Sequence, residues 1–130
     1  MYANGDIQEG TAGATIAAGD ILYIDTANSN VLKLAQCDGT ALEATACGVA
    51  LNAAASGQPV KYAKHGSEVT MGAAFAAAAG VPCFLSRTAG RSMNTLPSAV
   101  GGNDYVVFIG WSTATTRLKL WLSVSGLQAA

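Results

Sequence analysis

The stretch YVVFIGWSTATTRLKLWLSV, residues 105–124, contains the two clearest strand patterns in the chain. From residue 118 onward, leucine or valine at every second position alternates with Lys119, Trp121 and two serines. Successive side chains of a β-strand point to opposite faces, so we predict a buried leucine face and an opposite polar face that carries Trp121. The preceding run, Tyr105–Trp111, is apolar on both faces, which is typical of a strand central in a closed barrel or covered by another subunit.

Short apolar runs like these recur along the chain, and clusters of Gly, Asn, Asp and Ser separate them. No amphipathic segment long enough for a crossover helix lies between the runs, so the sequence predicts an all-β antiparallel sandwich or barrel. The alanine-rich stretch GAAFAAAAG, residues 72–80, permits a helical turn at most. The predicted strands are Ile21–Asp25, Val31–Ala35, Ala46–Leu51, Pro59–Lys64, Glu68–Met71, Pro82–Ser86, Tyr105–Trp111 and Arg117–Val124.

Two parts of the chain follow the same pattern. Ala-Ala-Gly leads into the run ILYI at 21–24, and Ala-Ala-Gly again leads into PCFL at 82–85, sixty-one residues later. Gly48 and Gly110 each open a second matching section that contains a loop and a strand. An internal duplication would give a pseudo-twofold barrel with two similar halves of three or four strands. Ordinary convergence of β-turn patterns is the alternative.

The ends and the composition indicate how the chain is organised. Residues 1–12 have no periodicity and contain Gly5 and Gly10, so we predict an extended N-terminal arm followed by one β-domain, 13–130. The chain has no apolar stretch of eighteen residues that would span a membrane. Its polar, acidic N-terminus does not resemble a signal peptide, so we expect synthesis and retention in the cytosol.

Charge is unusually scarce. Charged residues make up 12% of the chain, whereas an ordinary soluble domain has about 25%. The net charge is −1, and the seven basic residues are scattered, so nucleic acid and anionic membrane are not expected partners. The scarcity predicts a surface that other protein subunits cover; a Ser/Thr-rich soluble surface is the alternative.

No arrangement of reactive residues predicts catalysis, a cofactor or a metal. The sole histidine, His65, lies beside Gly66 in a predicted turn and has no nucleophile in a recognised motif nearby. The acidic residues do not have calcium-loop spacing, and the glycine-rich segments are not followed by a phosphate-binding helix. We expect Cys37, Cys47 and Cys83 to be buried thiols, although a Cys37–Cys47 bridge is an alternative.

Three segments together resemble the head decoration (cement) proteins of tailed phages. They are AGDILYIDTANSNVLKLAQ (18–36), CGVALNAAASGQPVKY (47–62) and GSEVTMGAAF (66–75). The similarity covers residues 13–75 and becomes looser from about 76 to 126. The resemblance implies a small antiparallel β-barrel or β-tulip, often a homotrimer, on the outer surface of the virion where capsomers meet. The major capsid protein would be its partner, and the protein would be made in the host cytoplasm.

The partner-binding residues follow from these two arguments. An aromatic side chain on a polar strand face is a contact candidate, which selects Trp121 and, with it, Trp111. The resemblance implies that the N-terminal arm reaches neighbouring capsid subunits, which adds Tyr2, Ile7 and Gln8. A receptor-binding or glycan-binding fibre module that uses the two tryptophans is the main alternative function. An enzyme accessory domain or a cryptic hydrolase fits the sequence less well.

Overall fold

The computed structural model describes residues 2–38, 40–71, 79–93 and 105–128. These ranges contain eleven β-strands and no helix, so the predicted all-β class is confirmed. The strands are β1 (Tyr2–Asn4), β2 (Ile7–Thr11), β3 (Ile21–Asp25), β4 (Val31–Leu34), β5 (Ala46–Ala50), β6 (Pro59–Ala63), β7 (Glu68–Thr70), β8 (Pro82–Leu85), β9 (Ser92–Met93), β10 (Tyr105–Ala114) and β11 (Arg117–Gln128). Residues 72–78 of the alanine-rich stretch lie outside the described residues.

The strands form two antiparallel sheets. The six-stranded sheet has the order β1-β7-β11-β10-β8-β9, and the five-stranded sheet has the order β2-β6-β5-β3-β4. A closed barrel is not found in the described ranges. The two end strands of the five-stranded sheet nevertheless approach each other, because Ala12, just after β2, forms a parallel bridge with Leu32 of β4.

The N-terminal residues predicted to form an arm are extended, and they are paired with the rest of the chain. β1 lies along β7 at one edge of the six-stranded sheet, and β2 lies along β6 at one edge of the five-stranded sheet. Ser67 fixes the corner between them, because its buried hydroxyl accepts a hydrogen bond from the N–H of Asp6 at 3.0 Å. One continuous segment therefore forms an edge of both sheets.

The main hydrophobic core takes side chains from both sheets. Ile21 and Val49 belong to the five-stranded sheet, whereas Ile109, Leu118 and Leu120 belong to the six-stranded sheet, and all five are buried. The alternation predicted for the last strand is observed, since Leu118 and Leu120 are buried while Trp121 is exposed. The sheets are thus held together by apolar burial, which is the dominant stabilising term in folding.

A second core lies on the opposite side of the five-stranded sheet. Leu22, Leu32 and Val60 of the sheet pack there with Ile16 and Ala54, which come from the irregular segments between strands. These segments are hydrogen-bonded to each other, because Ile16 and Ala54 form an antiparallel bridge. Both faces of the five-stranded sheet are therefore covered within the chain.

The two sheets repeat one strand pattern. Strands β2 to β6 have the order β2-β6-β5-β3-β4, and strands β7 to β11 have the corresponding order β7-β11-β10-β8-β9. The turns before β3 and β8 match as well, since Gly19 donates its N–H to Ala50 and Gly80 donates its N–H to Ser112. Each unit contains five strands, whereas the sequence predicted three or four.

Candidate partner-binding surfaces

The two tryptophans lie together on the outer face of the six-stranded sheet. Trp111 on β10 is 36% exposed and Trp121 on β11 is 50% exposed, and their ring centroids are 6.2 Å apart. The cross-strand partner of Trp111 is Lys119, which precedes Trp121 by two residues on the same face. The geometry follows from strand alternation, because their neighbours Leu118 and Leu120 point into the main core.

His65 supports Trp121 from the turn between β6 and β7. The two rings are 4.6 Å apart between centroids and inclined at 47°. The Nδ1 atom of His65 accepts a hydrogen bond of 3.0 Å from the N–H of Leu122, which fixes the imidazole beside β11. Lys119 also bonds this turn, because its Nζ donates to the carbonyl of Gly66 at 2.7 Å. The turn therefore holds Lys119 and Trp121 in place on the outer side of β11.

The same face continues toward β8. Phe84 and Phe108 are cross-strand partners, are half-buried and meet edge to face with centroids 5.7 Å apart, a favourable aromatic geometry. On the other side, Lys119 is the cross-strand partner of Glu68 on β7. We call this surface the aromatic face and define it by Phe84, Phe108, Trp111 and Trp121, with Lys119 and Glu68 at its charged margin.

A second surface is the open edge of β2. Lys64 donates to the carbonyl of Asp6, and Ala12 donates to that of Gln58, so the even-numbered residues of β2 bond to β6. In an antiparallel pair the alternate residues direct both backbone groups the other way. Ile7 and Glu9 therefore present their N–H and C=O groups to the outside of the sheet.

The side chains of this edge are also accessible. Ile7 is 39% exposed, and Gln8 and Glu9 are exposed. Tyr2 lies on β1 as the cross-strand partner of Thr70, at the matching edge of the six-stranded sheet. The sequence-predicted residues Tyr2, Ile7 and Gln8 thus occupy the edge formed by the N-terminal segment.

The structure places the five predicted contact residues on two surfaces with a short connection. Asp6 and Lys64 form a weak ion pair of 4.0 Å next to β2, and His65, the next residue, contacts Trp121. The turn at 64–67 therefore adjoins both the β2 edge and the aromatic face. Phe84, Phe108 and the Lys119–Glu68 pair were not selected from the sequence, since only the strand register reveals that they share a face with Trp111.

The described residues offer little chemistry beyond these surfaces. Among the described residues, no three His, Cys, Asp or Glu side chains are close enough to hold a metal ion. All three cysteines lie in described ranges, and no disulfide joins them, so the Cys37–Cys47 alternative does not apply. Burial raises the pKa of the Cys47 thiol to about 11, which keeps it protonated and weakly nucleophilic near neutral pH.

None of the described ranges contains a helix long and apolar enough to cross a membrane. Comparison of the sequence with protein-family models and with curated proteins finds no match.

Proposed function

We propose that this protein is a structural capsid decoration protein, which binds the outer surface of a phage head at capsomer junctions and stabilises the expanded shell. The observation that carries the proposal is the open β2 edge. The backbone groups of Ile7 and Glu9 face outward there, and the side chain of Ile7 is exposed. The resemblance of residues 13–75 to phage decoration proteins supports the choice of partner.

An open edge of this kind suits binding by strand addition. A partner strand can complete the hydrogen bonds of Ile7 and Glu9, while side-chain pockets supply specificity. Soluble proteins usually protect such edges with charge, proline or a covering segment. Here Glu9 supplies the single charge between Ile7 and Thr11, so the edge remains suited to a partner strand from the major capsid protein.

The composition and shape are consistent with the same role. Only 12% of the residues are charged, as expected of a surface that neighbouring subunits cover. We infer that the five-stranded sheet curls toward a small barrel around the second core, with the Ala12–Leu32 bridge near its seam. Such a module is rigid and places its N-terminal edge in a fixed position on a shell.

Stabilisation then follows from differential binding. A protein that binds the assembled, expanded shell more tightly than its separate subunits shifts the equilibrium toward the shell by mass action. Individual contacts need only be modest if linked copies bind together, because multivalency multiplies the overall affinity.

The test uses expanded empty heads and compact precursor heads, made without this protein from the major capsid protein encoded in the same genome. Co-sedimentation of purified protein should show saturable binding to expanded heads and little binding to precursors. Glu9→Pro should weaken binding at least about tenfold, because it removes one outward N–H without breaking a bond to β6.

Glu9→Ala is the matched control, because it removes the same side chain but keeps the N–H, and it should bind within about threefold of the parent protein. Equal binding of the proline and alanine variants would exclude strand addition at β2. Absence of binding to expanded heads by the parent protein would exclude the proposed function.

A further inference from the structure

The N-terminal segment contains the only Asn-Gly pair of the chain, Asn4-Gly5, at the end of β1. An asparagine before a glycine is especially prone to deamidation. The backbone nitrogen of the glycine attacks the side-chain amide carbon, and the absence of a Cβ leaves its approach unhindered. In a folded protein the reaction also requires that the two groups are accessible and that the backbone between them can rotate.

The fold requires the glycine at position 5. Its φ is 137°, which residues with a side chain rarely adopt, and a Cβ there would lie 2.6 Å from the Oγ atom of Ser67. The same Ser67 hydroxyl fixes the corner between β1 and β2 through its hydrogen bond with Asp6. A side chain at position 5 would slow the attack, but it would also disturb this corner.

Both reacting groups of the Asn4-Gly5 pair are accessible. The side chain of Asn4 is exposed and forms no hydrogen bond with any of the described residues. On β7 the carbonyl of Ser67 accepts from Leu120 of β11, so the alternate residue Glu68 bonds to its partner Asn4 on β1. The peptide bond after Asn4 is trans, so the N–H of Gly5 points opposite to the Asn4 carbonyl and away from β7.

β1 can also open without the rest of the fold. It has three residues and lies at the end of the six-stranded sheet, where it pairs with β7. Ring closure requires rotation about the Cα–C bond of Asn4, which breaks the backbone bonds to Glu68. Short edge segments open at a low free energy compared with global unfolding. The rotation therefore needs the release of β1 and leaves the cores intact.

Asn52 provides an internal comparison in which the same amide is held in place. Its Oδ1 atom accepts a hydrogen bond of 2.7 Å from the N–H of Lys61, and its Nδ2 atom donates to the carbonyl of Ala53 at 3.0 Å. The residue that follows is an alanine, whose Cβ hinders the attacking nitrogen. Asn52 should therefore react much more slowly than Asn4.

We propose that Asn4 is a site of spontaneous deamidation, and that the modification releases β1 from the six-stranded sheet. The nitrogen of Gly5 forms a bond to Cγ of Asn4, and the side-chain nitrogen leaves as ammonia with the proton that Gly5 gives up. Water then opens the resulting succinimide ring at either carbonyl, which yields aspartate or isoaspartate. The net change is the uptake of water and the loss of ammonia, without oxidation or reduction.

Both products weaken the pairing between β1 and β7. An aspartate at position 4 places a carboxylate opposite Glu68, and like charges directly across an antiparallel pair are destabilising. Isoaspartate has the larger effect, because the main chain then runs through Cβ and Cγ and gains a methylene group. The pair Tyr2–Thr70 consequently loses its register, whereas β2 keeps its own pairing with β6.

The test uses the full-length protein and requires no capsid. The protein is incubated at mildly alkaline pH in water enriched in heavy oxygen, and is then digested with pepsin at acidic pH, which stops the reaction. Peptide sequencing by mass spectrometry should show Asn4 converted at least about tenfold faster than Asn52. The product should contain heavy oxygen, and isoaspartate should exceed aspartate.

Asn4→Gln is the matched control. Glutamine keeps an exposed side-chain amide at the same position, but its ring would be one atom larger and closes slowly. This variant should remain unconverted at position 4 over the period in which the parent protein reacts. Conversion of Asn52 should be the same in both proteins.

Amide hydrogen exchange followed by nuclear magnetic resonance tests the structural consequence. In the isoaspartate form, exchange at 2–4 should be at least about tenfold faster than in fresh protein, whereas exchange at 7–11 should stay within about twofold. Asn4→Gln incubated in the same way should show no change. Three results would overturn the proposal: conversion of Asn4 no faster than that of Asn52, products without isoaspartate, or isoaspartate that leaves exchange in β1 unchanged.

Discussion

Cys47, a half-buried residue, illustrates how a single group makes stability depend on pH. Its pKa is raised to about 11, first by burial, against an ordinary value of 9.0. The unfolded thiol therefore ionises before the folded one, and the folded state loses relative stability as pH rises from 9.0 toward 11. Below 9.0 the full contribution is present, since the thiol is then protonated in both states.

We expect the free energy of unfolding, measured in urea, to fall as the pH is raised from about 8 to about 10.5. The fall should be about 2 kcal/mol larger for the parent protein than for Cys47→Ala. The alanine variant is the control for other groups, because burial also raises the pKa values of Tyr23 and Tyr62. Equal pH dependence of the two proteins would show that ionisation of Cys47 does not contribute.

Gly110 is a residue at which backbone geometry, and not side-chain chemistry, determines the amino acid. Its φ is 151°, and a Cβ would overlap the carbonyl oxygen of Lys119 on the paired strand. Gly110→Ala should therefore destabilise the protein by more than about 3 kcal/mol. Gly57 has a φ of 88° but nothing near its Cβ position, so Gly57→Ala should cost only about 1–2 kcal/mol. Similar midpoints of thermal unfolding for both variants would contradict the steric explanation.

At the scale of elements, the sequence predicted the strands that have an apolar side and missed those that lack one. The eight predicted strands from Ile21 onward all exist, with ends displaced by a few residues. β2 was predicted as part of an arm because IQEGT has almost no apolar alternation, and its side chains are mostly exposed. Its pairing with β6 joins residues about fifty positions apart, and no local pattern encodes such a contact.

The candidate surfaces, like the strands, were predictable from the sequence only in part. Alternation in β11 was enough to place Trp121 outside and its neighbouring leucines inside. Assigning Phe84 and Phe108 to the aromatic face required the register between β8 and β10. An irregularity between Phe108 and Gly110 changes which side chains of β10 point to that face. In the sequence, the one sign of this irregularity is the glycine at position 110. A glycine there is equally consistent with a turn.

The corner between β1 and β2 provides a test at this scale. The Ser67 hydroxyl accepts from the N–H of Asp6 and donates to its carbonyl at 3.2 Å, and the residue is completely buried. Ser67→Ala leaves both backbone groups of Asp6 without this partner, which should cost about 1–2 kcal/mol and loosen the N-terminal strands before the rest. Amide hydrogen exchange should increase at 2–11. Ser86→Ala is the control, because the Ser86 hydroxyl accepts a hydrogen bond from the N–H of Thr88 in an exposed loop, away from β1 and β2. Equal exchange in both variants would contradict the role of Ser67.

For the whole molecule, the arrangement of the cores determines whether the two units unfold together. The main core takes side chains from both sheets, so neither sheet can lose its packing without exposing the other. Trp111 and Trp121, the only tryptophans in the chain, both lie on the six-stranded sheet, and their fluorescence therefore reports on that sheet alone. Far-ultraviolet circular dichroism reports on both. Cooperative unfolding requires the two signals to change at the same urea concentration.

Variants in the five-stranded sheet make the test specific. Val49→Ala removes methyl groups from the shared core, and Val60→Ala removes them from the second core, which the tryptophans do not contact. Each substitution should lower the free energy of unfolding by about 2 kcal/mol. If the molecule unfolds as one unit, both variants lower the midpoint measured by tryptophan fluorescence, including Val60→Ala, because loss of the second core then unfolds the six-stranded sheet as well. A fluorescence midpoint that Val60→Ala leaves unchanged, with an earlier change in circular dichroism, would instead mean that the repeated units unfold independently.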